Sequence, residues 1–199
     1  GIVSTAFTGG ADIESNDSLR GRMLTQYQTP PRGGARDDYV TWAKEVPGVT
    51  RAWSVANVLG IGSVVVYIML DRSQAAHGGF PQGINDAATD EPRGTPATGD
   101  QLRVADHILL RQPVTAFVNV AAPAANPVDF LIQNLPLAAR PMVAGAIADV
   151  FLRDGAPGKP VPLAHIWSAI SSISGADGFV ILAPLGSISN PPDALPVVG

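Results

Sequence analysis

Residues 39–55, YVTWAKEVPGVTRAWSV, and residues 164–182, AHIWSAISSISGADGFVIL, share one design. Each places a tryptophan in the middle of an apolar helical stripe, breaks at a Pro or Ser beside Gly, and resumes as a short run of strand-forming residues. In the first, Tyr39, Trp42, Ala43 and Val46 fall on one helix face, and Asp37 and Asp38 suit its positive N-terminal end. Pro47-Gly48 stops it, and VTRAWSV (49–55) alternates with period two. In the second, Leu163, Ile166, Trp167, Ile170 and Ile173 make the stripe, and FVILAP follows as a strand. A helix–turn–strand corner used twice predicts two small tandem α+β domains. Each is expected to be a short sheet with helices on one face, as in a ferredoxin-like sandwich.

Outward from these corners, ESNDSLRGRMLTQYQ (14–28) opens with capping residues and puts Leu19, Met23 and Tyr27 four apart, which predicts a helix. Pro30, Pro31 and the glycines after them form a hinge. SVVVYIML (63–70) is apolar on both faces, so it reads as the central strand of its sheet. ANVLGIG before it reads as a hairpin loop. A helix near 98–110 is capped by Thr98 or Asp100, and the strand VTAFVNVAA follows Pro113. Beyond Pro123 and Pro127, VDFLIQNL (128–135) reads as a strand and 138–153 as a helix that tolerates Pro141 in its first turn. The expected organisation is an N-terminal strand and helix over 1–34, which ends a truncated upstream domain. A first α+β domain over 35–122 and a second over 123–199 follow, the two halves meeting near Ala122–Pro127.

Between Arg72 and Gly99 no period survives. Gly, Pro, Asp and Ala dominate, and a loop of this length inside a domain is uncommon and usually functional. With Phe80 and Ile84 its main large apolar residues, it has few hydrophobic anchors to offset the entropy of ordering, so it is expected to order only against a partner.

The chemistry is sparse. With 199 residues, no cysteine and a net charge of −4, the chain has no thiol nucleophile, zinc–thiolate site or disulfide. It also has no block of cations to displace counterions from nucleic acid. The densest apolar run, 64–70, is far shorter than the ~20 residues a membrane helix needs. His77, His107 and His165 are not at metal-ligand spacing from one another. His77 with Asp71, Asp86 and Asp90 is the one conceivable cation cluster, and solvated loop residues are the default reading. Gly60-Ile61-Gly62 lies between strands, so it is a turn rather than a dinucleotide fingerprint. Only 15% of residues are charged, against about 25% in ordinary domains, which suggests that other subunits cover some of the surface. Strand alternation sets Arg51 and Trp53 on the face opposite Ala52 and Ser54, which suit the helix side. Arg51 and Trp53, with Phe80 of the loop, are the candidate interface, and no catalytic, metal or cofactor residue is assigned. On an open face, Trp53→Ala is expected to cost within about 1 kcal/mol of folding stability.

The order of motifs TGGADIESNDSLRGRML, PPRGGARDDYVTWAKEVPGVTRAW and TPATGDQLRVADHI…QPVTAFVNVAAP resembles the baseplate J-like family of contractile-tailed bacteriophages, Mu-like and P2-like. The final third, PVDFLIQNL…PGKPVPLAHIWSAISSISGADGFVILAP, is similar to that family's C-terminal region. The motif positions that carry the likeness are Gly9, Gly10, Asp12, Glu14, Leu19, Arg20, Pro31, Tyr39, Trp42, Pro47, Gly48, Val49 and Trp53. The resemblance implies a non-catalytic wedge subunit in the virion tail baseplate, made in the host cytoplasm. It further implies association with other wedge and hub proteins, self-association in a ring, and no nucleic-acid or membrane partner. Two other readings stand beside it: a tail-associated hydrolase, which would need a carboxylate pair or zinc site, and a small-ligand module with loop 72–100 as its lid.

Overall fold

A computed structural model describes residues 15–28, 32–173, 175 and 178–199. Motif positions Gly9, Gly10, Asp12, Glu14 and Pro31, and the strand expected before Asn16, lie outside them. The described chain is mixed α+β: five helices and three small sheets.

Helix α1 (Asn16–Gln28) exposes Leu19, Met23, Leu24 and Tyr27. Helix α2 (Arg36–Glu45) begins where Asp38, at its third position, accepts hydrogen bonds from the backbone N–H groups of Arg32, Gly34 and Ala35. It turns at Gly48 (φ +98°) into β1 (Arg51–Ala56), which pairs antiparallel with β2 (Ser63–Met69). The link closes as a hairpin, as ANVLGIG predicts. Helix α3 (Gly99–Leu109) leads to β3 (Phe117–Ala121), parallel to β2. The sheet order is β1-β2-β3, so the doubly apolar strand is central. The pleat sorts its side chains. Ala52, Val66, Ile68, Leu70, Val118 and Val120 meet Tyr39, Ala43, Val104 and Ile108 of α2 and α3. Val65, Tyr67 and Ala121 point the other way and carry Trp53 and Val55.

Then β4 (Ala124–Val128) pairs parallel with β7 (Ala194–Val198), and β5 (Leu131–Gln133) pairs antiparallel with β6 (Val180–Ala183). The single strand expected over 128–135 is thus two. The chain changes sheets around Asp129 and Phe130, and β7, with Pro196 inside five residues, lacked a strand signature. Helices α4 (Arg140–Asp154) and α5 (Leu163–Ser171) cover these strands. Val143, Ile147, Val150 and Phe151 pack there with Ile166, Ile170, Phe179 and Ile181. The two tryptophan corners differ in one respect. Trp42 packs against the first core and stacks edge-on against Tyr39, while Trp167 stays partly exposed, stacked on Phe179.

The expectation that loop 72–100 lacks anchors is overturned, because its anchors are polar. Asp100 accepts from the backbone N–H of Gln82 and from the Gln74 amide. Glu91, 4% exposed, takes a two-pronged bond from Arg93, which also donates to the carbonyls of Thr115 and Ala116. Asn85 accepts from Ala122 N–H, Thr89 N–H donates to Asp106, and Ala87, Ala88 and Ala97 are buried. Thr98 makes no cap bond to α3. Its hydroxyl accepts from Ile84 N–H, and Asp100 is spent on the same loop.

Candidate interaction surface

The start of β1 gathers the charged end of the candidate surface. Antiparallel pairing sets Arg51 opposite Met69, which brings Asp71, just beyond the end of β2, within reach. The guanidinium meets Asp71 in a fork: Nε to Oδ2 at 2.9 Å and Nη2 to Oδ1 at 2.7 Å. Thr50 donates its hydroxyl to the same carboxylate and accepts from the Asp71 N–H at 3.0 Å. Burial alone would push the Asp71 carboxyl up. The hydrogen bonds from Arg51 and Thr50 and the positive charge of Arg51 outweigh it and hold the carboxyl below the usual carboxylate range.

Arg51 has two further contacts. Its guanidinium carbon lies 5.4 Å from the centre of the Trp53 ring, a cation–π distance. Its Nη1 donates to the carbonyl of Leu152 at 3.4 Å, near the end of α4, where helix carbonyls lack partners of their own. Arg51 is therefore satisfied from three sides.

Phe80 is half-buried and lines the same seam, a cleft of about 200 Å³ bounded by Arg51, Met69, Asp71, Phe151, Leu152 and Val197. The three candidate residues are thus neighbours only in part. Arg51 and Phe80 face α4 and β7 across the cleft, and Trp53 lies beyond Arg51 against Val65, Tyr67 and Ala121. Trp53 is half-buried rather than open, because Tyr67 stands directly opposite it in the strand pairing. Burial, then the charge of Asp193, pushes the Tyr67 phenol up.

The histidines do not converge. His107 pairs with Glu45 at 2.9 Å and joins α3 to α2, while His165 pairs with Asp154 at 2.8 Å and joins α5 to α4. His77 is exposed, while Asp71 is held by Arg51 and Asp86 bonds Ala87 N–H and Asn119. Among the described residues, no group of three or more His, Asp or Glu could hold a metal ion, and no helix is long and apolar enough to cross a membrane. Asp38, Asp71, Glu91, Asp100 and Asp154 are all held below the ordinary carboxylate range by backbone N–H, Arg, Gln, Thr or His donors. A carboxyl held low is a fixed anion, suited to bracing loops and helix ends.

The first unit is a small mixed sheet with two helices on one face and braced loops, and residues 31–122 match the Baseplate J-like central domain. The chain belongs to the baseplate J-like family. Over 200 residues it is 33% identical to the JayE protein of Escherichia coli K12, covering 99% of this chain and 69% of that protein. It is 36% identical over 189 residues to baseplate protein gp47 of Escherichia phage Mu, covering 92% of this chain and 49% of that one. The Mu-like prophage FluMu protein gp47 of Haemophilus influenzae is 28% identical over the whole chain, which covers 55% of its length. The chain thus spans about half to two thirds of the curated relatives it matches.

Proposed function

We propose that this chain is a structural, non-catalytic part of a contractile phage tail baseplate, sited in the virion tail. It would bind neighbouring baseplate proteins and further copies of itself in a ring. The observation that carries this reading is the 36% identity to the Mu baseplate protein over 92% of the chain. The engagement of Asp71, Glu91 and Asp100 by donors that brace the fold supports the non-catalytic part. Of the three candidate interface residues, Arg51 and Phe80 serve the seam between a first unit over 35–122 and a second over 123–199. The open edge of Trp53 meets a partner.

The test is to delete the gene from its phage or prophage and complement it with tagged full-length protein. Tails lacking a baseplate in the deletion, and the tag at the tail tip by immuno-electron microscopy, are expected. Normal baseplates in the deletion would overturn the reading. Cell-wall cleavage by the purified protein would overturn its non-catalytic part.

A further inference from the structure

The chain passes once between the two units proposed above, and both sides of the crossing are tied down. Ala122 N–H donates to the Asn85 side chain at 2.9 Å, which fixes the end of β3 to the first unit. Ala124 N–H donates to the Asp193 carbonyl at 2.8 Å, where the β4–β7 ladder of the second unit begins. Only Pro123 lies between these anchors. Its ring locks φ and holds Ala122 extended, so few torsions stay soft at the junction, chiefly ψ of Pro123 and φ of Ala124. Such a junction permits a swing about one axis and resists tumbling.

Little holds the swing shut. Among the described residues, no buried core cluster draws on both units: one is built from Tyr39 to Val120, another from Val143 to Ile188. Met69 and Phe80 on one side and Phe151 and Leu195 on the other bound a cleft of about 200 Å³ instead of interlocking. Where an interface is small and incompletely packed, relative domain motion is the default. The polar tie is the bond from Arg51 Nη1 to the Leu152 carbonyl, whose 3.4 Å is near the outer limit for a hydrogen bond.

Arg51 is aimed by the first unit alone. Asp71 grips Nε and Nη2, which leaves Nη1 directed at the second unit whether or not that unit is close. Leu152 lies in the last turn of α4, where carbonyls lack helical donors, and among the described residues no backbone N–H beyond the helix reaches it. Donor and acceptor are thus both ready in advance, and on separation both are hydrated. Exchanging such an exposed bond for water is nearly balanced, as a reversible closure requires.

We propose that Pro123 is a hinge and Arg51 a latch: the units exchange between this closed form, with Arg51 on the end of α4, and an open form in which the seam is wet. This rests on the two-unit division proposed above. The full chain has no cysteine, so Lys44→Cys with Met142→Cys puts one spin label on α2 and one on α4, both at exposed positions. Double electron–electron resonance then reads the distance between the units. Arg51→Lys keeps a cation for Asp71 and shortens the reach to Leu152. In the labelled background it is expected to raise the open population about two- to tenfold, as loss of one hydrogen bond does, with unchanged circular dichroism. A distance distribution that superimposes on that of the background overturns the latch. If Arg51→Lys does not fold, Pro123→Gly replaces it: added torsional freedom should broaden the distribution, and an unchanged one overturns the hinge. A 32–122 fragment that fails to fold would overturn the division and the hinge with it, whereas an unchanged distance beside a folded fragment overturns the hinge alone.

Discussion

Asp71 accepts from the side chains of Arg51 and Thr50, and its removal strands an arginine that also reaches Leu152. Asp71→Asn keeps the shape and loses the charge. It is expected to lower stability at neutral pH by about 2 kcal/mol, as loss of one partner from a partly buried charged hydrogen bond does. Because the folded-state pKa of Asp71 is depressed, this contribution is present above the unfolded carboxylate value and is lost as pH falls through the folded one. The melting-temperature gap between wild type and Asp71→Asn should therefore be widest above about pH 5 and close as pH falls below 4. A gap that widens in acid would contradict the pair. Trp53, half-buried against Tyr67 and Val65, should cost about 2 kcal/mol when cut to Ala, near half of a fully buried aromatic and more than an open face implies. Urea unfolding of the Trp53→Ala protein decides between these values. The face that Trp53 occupies was legible from period-two alternation in RAWSV. Its covering was not, because Tyr67 and Asp71 reach it only through the β1–β2 register.

At the scale of elements, long periodic stretches declared themselves: α2, α3, α4, α5 and β2 all fall where apolar spacing puts them. What stayed hidden was held by polar groups from far along the chain. Loop 72–100 has no periodicity because its order comes from single carboxylates, Asp100 and Glu91, each gathering several donors. Hydrogen–deuterium exchange should find the amides of Gln82, Ala87 and Ala97 protected, and Asp100→Ala should release the stretch around Gln82 selectively. Exchange at unfolded-chain rates in the wild type would show that the loop needs a partner after all. β7 is locally silent for a related reason. Five residues containing a proline carry no strand signal until β4 supplies the ladder.

For the molecule as a whole, the core built on Tyr39, Ile68, Val104 and Val120 is complete without any residue beyond Ala121. Among the described residues, the Arg51–Leu152 bond, at 3.4 Å, is the one hydrogen bond that joins residues 32–121 to those from 124 onward. A fragment spanning 32–122 is therefore expected to unfold cooperatively in thermal denaturation on its own. A fragment with no cooperative transition would show that α4 and β7 are needed to complete it. The tandem arrangement could be anticipated from the repeated tryptophan corner. The partition of the C-terminal strands between two sheets could not, since strand partners are set by contacts that the local pattern does not encode.

The parallel pairing of β2 with β3 also sets a timetable. The β1–β2 hairpin and α2 can form as soon as they leave the ribosome, but Val66 must wait for Val120, roughly 50 positions downstream, before its open side is closed. At a synthesis rate of ~5–20 residues per second, that leaves the most apolar strand of the chain without its second neighbour for roughly 3–10 s. During that interval the nascent chain displays a bare β2 edge, the kind of unpaired strand that templates aggregation, until β3 pairs with it.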